Sequence, residues 1–249
     1  MQDSLTFGAA THVGLVRVKN EDSHAVLQPS DGHPGALVIA DGMGGHRRGE
    51  LASRVAVDYV CQQLNGLTCT EPGKLEQIAE TLGRIIEKAN VKVYLSSLSE
   101  DENQGMGTTL TVAIFLPGHV CLGHIGDCRA YLLHGGELVQ LTVDHTLVQE
   151  LVDAGEISAE ASRQHPNRNV LTRALGVPDY LQPDISEHAL ASGDRLLLCS
   201  DGLHGLVEEH EIRSQMRQAQ TPGQLAESLV GLALTLGGED NITVLTAFA

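Results

Sequence analysis

The sequence has 249 residues, of which 42% are hydrophobic and 19% charged, so it is long enough to bury a substantial core. Its 16 basic and 32 acidic residues give a formal net charge of −16, and only 3% of the residues are aromatic. The charge opposes binding to a nucleic-acid backbone or an anionic membrane, and few aromatic side chains are available to stack on nucleic-acid bases. We therefore expect no nucleic-acid partner and no membrane partner.

The cysteines and the hydropathy pattern indicate a cytoplasmic protein. The five cysteines form neither a CxxC pair nor a zinc-type spacing, so we expect buried free thiols in a reducing compartment. No basic segment followed by an apolar one opens the chain, and no apolar run approaches the roughly 20 residues of a membrane span. Without a linker or a break in composition, the sequence predicts one domain over residues 1–249, and we expect a monomer.

The first third of the chain predicts two strands followed by two helices. A strand is expected in "SLTFGAATHVGLVR", and the apolar run "ALVIAD" predicts a strand that is buried on both faces. "LASRVAVDYVCQQL" has apolar residues at helical spacing. A longer amphipathic helix is predicted over residues 72–98, beginning at Pro72.

The remainder of the chain is richer in strands. Four short strands in "TTLTVAIFL", "HVCLGHIG", "RAYLLHG" and "ELVQLT", joined by Gly-containing turns, predict an antiparallel meander. A polar, short-helical excursion at about 146–175 follows, then a strand in "DRLLLCSD". Two helices are predicted over 207–219 and 221–238, the second capped by Thr221 with Pro222 at its first position, and "NITVLTAFA" closes the chain as a strand.

This order of elements indicates the fold class. Strands occur in runs and helices in pairs between them, which predicts two antiparallel β-sheets packed face to face and flanked by helices. We therefore expect an α+β protein built as a four-layer sandwich.

Two of the predicted strands end on Asp-Gly, at Asp41-Gly42 and at Asp201-Gly202. Asp-Gly after an apolar run is a common turn, because Asp bonds its own backbone and Gly accepts positive φ. The alternative is a metal site, since a carboxylate at the end of a rigid strand is held in place by the core behind it.

Other carboxylates favour the metal site. Asp127 and Asp240 lie in Gly-containing segments near strands, and Glu21 and Asp22 lie in "RVKNEDSH". Taken singly, each is better explained without a metal: Asp127 as a turn residue, Asp240 as a loop residue that caps the final strand, and Glu21 and Asp22 as solvated charges. Together they form a set of hard oxygen donors without a Cys/His cluster, which suits magnesium or manganese and not zinc.

Eight short segments, spread over nearly the full length, form a recognisable series: "RVKNED", "DGMGGH", "GTT", "GDCRAY", "TVDH", "HPNRNVLTRALG", "SDGL" and "GGEDNITV". In these segments and in their order, the chain resembles bacterial members of the metal-dependent serine/threonine protein phosphatases, the type 2C (PPM) family. The family's β-sandwich flanked by helices agrees with the fold predicted above. The resemblance implies a phosphoprotein phosphatase that acts on phosphoserine and phosphothreonine and opposes Ser/Thr kinases.

The resemblance also implies roles for the carboxylates. Asp41 would bridge two divalent ions, Mn or Mg, and the Gly42 carbonyl would complete one shell. Asp201 and Asp240 would hold the second ion. Asp127, together with Asp201, matches the position that holds a weaker third ion in bacterial members.

Further positions would act on the substrate. The resemblance implies that Arg17 binds the phosphate and that Glu21 and Asp22 act mainly through metal-bound waters. A metal-bridging hydroxide would attack phosphorus directly, without a phospho-enzyme. Animal and plant members carry a His two residues after the bridging Asp; here that residue is Met43. The general acid would then be His46 or water.

Supporting roles are expected for Thr108 and Thr109 beside the site. The excursion at 146–175 resembles the family's flap, in which Arg168 could meet an acidic or phosphorylated peptide. Two other functions stay open: a catalytically degenerate metal-binding signalling module, and a phosphatase dedicated to a single regulatory phosphoprotein.

Overall fold

A computed structural model describes residues 5–30, 32–44, 48–67, 75–100 and 103–249. The strands are β1 (Thr6–His12), β2 (Asp22–Leu27), β3 (Gly35–Met43), β4 (Gly107–Thr108), β5 (Leu110–Leu116), β6 (His119–Ile125), β7 (Arg129–His134), β8 (Glu137–Gln140), β9 (Asp184–Ala189), β10 (Arg195–Cys199) and β11 (Ile242–Phe248). The helices are α1 (Arg48–Leu64), α2 (Leu75–Ser97), α3 (Leu147–Asp153), α4 (Ala159–Arg163), α5 (Asp201–His204), α6 (Glu209–Gln218) and α7 (Pro222–Thr235).

The strands form two antiparallel sheets. One has the order β1-β11-β10-β7-β8, and the other has the order β2-β3-β5-β6-β9 with β4 pairing β3. Helices α1 and α2 pack on the second sheet, and α5, α6 and α7 pack on the first. The predicted α+β sandwich of two face-to-face sheets flanked by helices is confirmed.

The β3 strand shows why its sequence is apolar throughout. Leu37 and Ile39 belong to the cluster between the two sheets, whereas Val38 and Ala40 belong to the cluster beneath α1 and α2. Side chains alternate across a strand, so a strand with a sheet on one face and helices on the other buries every residue. The predicted burial of "ALVIAD" on both faces is confirmed as far as Ala40, while Asp41 is partly exposed.

The predicted four-stranded meander is wrong. β5 and β6 form a hairpin in one sheet, β7 and β8 form a hairpin in the other, and the chain crosses between the sheets at Gly126. Gly126 has φ +105°, and a Cβ there would lie 2.4 Å from Cγ2 of Thr109. Turn signals identify hairpins between sequential strands, but they do not show which sheet the next hairpin joins.

Two strands, β2 and β9, were not predicted. Both lie at the edges of the second sheet, and most of their side chains are partly or fully exposed. Their polar sequences, "DSHAVL" and "DISEHA", therefore lack the apolar pattern that marks a buried strand.

The predicted helices and thiols are largely as expected. Thr221 caps α7, because its side chain accepts from the Gln224 N–H at 3.2 Å, and Pro222 opens the helix. Within 146–175 the structure has only the short helices α3 and α4. Free thiols are buried at Cys121, Cys128 and Cys199 and partly buried at Cys61; Cys69 and Pro72 lie outside the described residues. Among the described helices, none combines the length and apolar character that crossing a bilayer requires.

Candidate metal and phosphate site

The centre of the site is formed where β2 and β3 pair. Asp22 lies directly opposite Asp41 in the antiparallel register, and the Gly42 N–H donates to the Glu21 carbonyl at 3.2 Å. Asp22 and Asp41 therefore lie at the same end of the β2–β3 pair, and Glu21 directly precedes β2 at that end. Glu21 is partly buried and Asp22 is buried, so neither is the fully solvated charge that the sequence left open.

The backbone of Asp41 is held by the two threonines predicted to support the site. The Asp41 N–H donates to Oγ1 of Thr109 at 2.8 Å, and the Asp41 carbonyl accepts from the Thr109 N–H at 2.9 Å. Oγ1 of Thr108 also donates to this carbonyl at 2.8 Å. These bonds hold the backbone of Asp41 in place as the strand ends.

A close contact with the start of α1 fixes the other side of Asp41. A Cβ on Gly42 would lie 2.1 Å from the Gly49 carbonyl oxygen, and a Cβ on Gly49 would lie 2.9 Å from Cδ of Glu21. Only glycines allow the helix to approach the strand so closely. Gly49 has no role predicted from the sequence; the signal available there is a glycine two residues before the predicted helix, at the end of the Gly-rich stretch that follows Asp41.

Asp201 enters the site from the opposite sheet. It is the first residue of α5 and follows Ser200, which is fully buried. Oγ of Ser200 donates to Oδ2 of Asp22 at 2.9 Å and accepts from the Thr243 N–H at 2.9 Å. Ser200 thus links the two sheets at the site, a role that sequence reasoning did not assign.

Arg17 reaches the site through Asp240. Its Nη2 donates to Oδ2 of Asp240 at 2.7 Å, while half of its side chain stays exposed. The pKa of Arg17 is raised, chiefly by this hydrogen bond, with additional contributions from the charges of Asp201 and Glu21. The Arg17 guanidinium thus lies beside several carboxylates and faces solvent, where it is available to an anion.

Asn241 positions the loop that carries Arg17. Its Nδ2 donates to the carbonyls of Val13 at 2.9 Å and Lys19 at 2.8 Å, and its Oδ1 accepts from the Glu21 N–H at 2.7 Å. The side chain thereby fixes both ends of the loop. Asn241 lay in a recognised motif, "GGEDNITV", but had no predicted role.

Asp127 lies at the crossing between the sheets. It is buried, and its carbonyl accepts from Nε2 of His204 at 2.9 Å. Burial raises the pKa of Asp127 well above its usual range, and the nearby Asp201 carboxylate raises it further. Asp127 is therefore an electrostatic neighbour of Asp201, as the predicted shared site requires.

The carboxylates perturb one another strongly. Burial raises the pKa of Asp22 to about 7 and that of Asp201 to about 6, and it raises the pKa of Glu21 as well. Asp41 has a pKa raised well above its usual range by burial and then by four neighbouring carboxylates, those of Asp22, Asp201, Asp127 and Asp240. A hydrogen bond with the Asp41 carboxyl group offsets part of the rise at Asp201. Such a cluster is stable at neutral pH only when protons or cations neutralise it.

The donor set fits a hard divalent cation. Three buried oxygens, Oε1 of Glu21, Oδ1 of Asp22 and Oδ1 of Asp201, have no hydrogen-bond partner in the described part of the chain. Within that same part, no group of three or more His, Cys, Asp or Glu side chains is arranged to hold a metal ion without further ligands. A backbone carbonyl and water would complete the shell, as is usual for magnesium and manganese.

Three other residues that the sequence singles out lie outside the described residues, at the edge of the site or on the 146–175 segment. His46, the candidate general acid, lies outside the described residues. Met43 ends β3 opposite Gly107 and is 37% exposed, so it lies at the rim of the site. Arg168 is exposed on the 146–175 segment.

A two-sheet sandwich with a buried carboxylate cluster and an adjacent arginine defines a protein of the phosphatase 2C class. Residues 16–232 match the family described as Protein phosphatase 2C, so the chain belongs to this family. This confirms the predicted family and the predicted enzyme class, a protein phosphatase.

Similar proteins and solved structures agree with this family membership. The chain is 41% identical over 235 residues to the serine/threonine phosphatase stp of Listeria monocytogenes, covering 94% of this chain and 92% of the relative. Its fold is similar to the solved structure of the S. agalactiae serine/threonine phosphatase, with a TM-score of 0.90 and 32% identity over 98% of this chain and 99% of the other. The catalytic domain of the phosphatase PstP, solved with two manganese ions, has a TM-score of 0.84 and 37% identity over 98% and 97% of the two chains.

Proposed function

We propose that this protein is a metal-dependent phosphatase that hydrolyses phosphoserine and phosphothreonine in proteins and so opposes Ser/Thr kinases. The observation that carries the proposal is the buried carboxylate cluster with three unpartnered oxygens beside the half-exposed Arg17. The manganese ions in the similar PstP domain support the metal dependence.

The residues that would hold the ions follow from the cluster. Asp41 and the Gly42 carbonyl, together with Asp201 and Asp240, would hold two divalent ions, manganese or magnesium. Asp127, with Asp201, would hold a weaker third, because a site with one dedicated carboxylate has less protein charge than the central pair. When bound, the ions supply a water of lowered pKa and neutralise charge that develops on the phosphoryl group.

The chain's own residues do the remaining work. Arg17 would bind the phosphate dianion, for which its guanidinium has the appropriate charge and geometry. Because the Arg17 guanidinium donates to Asp240, it must either bind phosphate and Asp240 together or release Asp240 when phosphate binds. Glu21 and Asp22, each with a buried oxygen that has no hydrogen-bond partner in the described part of the chain, would orient the waters that complete the metal shells.

A cysteine nucleophile is not supported by the described thiols. Burial raises the pKa of Cys61 to about 11 and those of Cys121 and Cys199 to about 12, and it raises the pKa of Cys128 well above its usual range. These groups stay protonated at neutral pH, and a thiol is a weak nucleophile compared with a thiolate. Direct hydrolysis without a covalent phospho-enzyme is therefore the proposed route.

Two elements complete the proposal. His46 would protonate the departing alkoxide, with water as the alternative donor, because Met43 occupies the position where other branches carry a His. The segment 146–175 would act as a flap of the single catalytic domain and shape the choice of phosphoprotein. We propose that the protein acts as a monomer, without nucleic-acid or membrane partners.

Turnover assays test the proposal. The purified protein should hydrolyse an aryl phosphate and phosphothreonine peptides with manganese or magnesium and should be inactive with chelator. Asp201→Asn, which removes one charge from the cluster, should lower turnover by several orders of magnitude while leaving the fold intact. Metal-independent turnover, or an active Asp201→Asn variant, would contradict the mechanism. Metal binding without any turnover would favour the degenerate signalling module.

A further inference from the structure

The turn that carries Asp127 is held on both sides by histidines. Nδ1 of His145 accepts from the Gly126 N–H at 3.0 Å, and the His145 N–H donates to the Gly126 carbonyl at 2.8 Å. On the other side, the Asp127 carbonyl bonds Nε2 of His204 at 2.9 Å. His204 is the last residue of α5, the helix that begins with Asp201, so its bond fixes the distance between the two carboxylates.

The hydrogen bonds also define the protonation state of each ring. A backbone N–H can only donate, so Nδ1 of His145 is an acceptor and carries no proton. Its Nε2 therefore carries the proton and donates to Oδ2 of Asp184 at 3.0 Å. A carbonyl can only accept, so Nε2 of His204 is a donor. Each ring thus makes a directional bond that only one tautomer provides.

His145 also reaches the base of the 146–175 segment. Its carbonyl accepts from the Thr172 N–H at 2.8 Å, and Asp184 accepts from Nη1 of Arg173 at 2.7 Å. The His145 side chain is almost fully buried, whereas Asp184 is about half exposed. One buried ring therefore bonds the Asp127 turn with one nitrogen and Asp184 of β9 with the other, and Asp184 in turn bonds Arg173 at the base of the segment.

We propose that His145 and His204 are positioning residues that set Asp127 relative to Asp201, and that His145 also transmits the position of the flap base to this turn. The inference rests on the proposed role of Asp127 in holding the weaker ion. It predicts a role in metal affinity for two side chains that do not bind the metal. Residues that orient ligands typically change metal affinity by about 10–100-fold when they are lost.

Matched substitutions separate the two ends of the His145 ring. His145→Asn places an amide oxygen near the Nδ1 position and keeps the bond to Gly126, but it cannot reach Asp184. His145→Gln reaches Asp184 but loses the acceptor for Gly126. His204→Gln keeps a donor near the Nε2 position, and His204→Leu removes it at similar volume. Calorimetric titration measures manganese affinity independently of activity. The Tm measured in chelator gives the effect of each substitution on the stability of the fold.

The two variants that lose the turn bond, His145→Gln and His204→Leu, should weaken the lowest-affinity manganese binding about 10-fold or more. The matched variants that keep the bond, His145→Asn and His204→Gln, should bind manganese with an affinity within about 2-fold of the native protein's. His145→Asn should instead raise KM for a phosphothreonine peptide about 5-fold, the worth of one hydrogen bond, with little change for an aryl phosphate.

Equal manganese affinity in both members of each pair, with activity following Tm alone, would overturn the inference and leave two structural histidines. If the His145 variants unfold, the His204 pair decides the role of the turn. Asp127→Ala separates this result from the proposed function. If Asp127→Ala keeps native manganese binding and turnover, the third-ion role itself is wrong. If it loses both while His145→Gln and His204→Leu keep both, only the positioning inference fails.

Discussion

Ser200→Ala tests whether the link between the two sheets supports the site. Ser200 is fully buried, and its Oγ bonds both Oδ2 of Asp22 and the Thr243 N–H at 2.9 Å. Alanine leaves a buried N–H without an acceptor and removes a charge-assisted donor from Asp22. We expect a loss of about 2–4 kcal/mol in the free energy of unfolding. For a chain of this size that corresponds to a Tm lower by about 5–10 °C.

The same substitution should impair the site beyond this loss of stability. Asp22 would lose a bond that orients its carboxylate, so the manganese concentration for half-maximal turnover should rise about 10-fold or more. The assay is an aryl phosphate titrated with manganese, beside thermal unfolding in chelator.

Thr246→Ala is the matched control for Ser200→Ala. Thr246 is equally buried in β11, and its hydroxyl donates to the Pro222 carbonyl at 2.8 Å without touching a site residue. The control should lose stability but keep its manganese dependence. If both variants show the same manganese dependence, Ser200 contributes to folding alone and the reasoning is wrong.

Arg17→Ala should raise KM and weaken inhibition by inorganic phosphate by about 10-fold or more, whereas calorimetric manganese affinity should change little, because Arg17 binds a dianion and holds no metal. Gly49→Ala should lower both Tm and turnover, because its Cβ would lie 2.6 Å from the Gly42 oxygen; Gly223→Ala, with open space around its Cβ, should do neither. Burial lowers the pKa of His124 to about 4, so the folded state disfavours its charged form. His124 should therefore contribute a loss of stability of about 1.4 kcal/mol per pH unit as the pH drops below about 6.5 toward 4, and His124→Asn should remove this contribution in pH-dependent denaturant unfolding. An unchanged pH dependence of stability in that variant would show that other groups cause the loss of stability at acidic pH.

The sequence alone determined the elements with strong local signals. The apolar run of β3, the helical spacing in α1 and α2, and the Thr221-Pro222 start of α7 all follow from side-chain periodicity or capping. The carboxylates could also be named from the sequence, because Asp-Gly after a buried strand and acidic residues in Gly-rich loops are local patterns. The structure places these carboxylates within one electrostatic cluster.

The tertiary structure alone decided which residues serve those carboxylates. Ser200 bonds Asp22 across 178 positions and Asn241 bonds Glu21 across 220, and no local pattern distinguishes these side chains from other buried polar residues. The same holds for the edge strand β2, whose polar sequence becomes a strand because β3 offers it a row of hydrogen bonds. Hydrophobic periodicity indicates the secondary structure of a segment and which of its faces is buried, but it does not identify the residues that pack on that face. The choice of a distant partner depends on how two sheets pack, because that packing brings buried donors and acceptors within bonding distance.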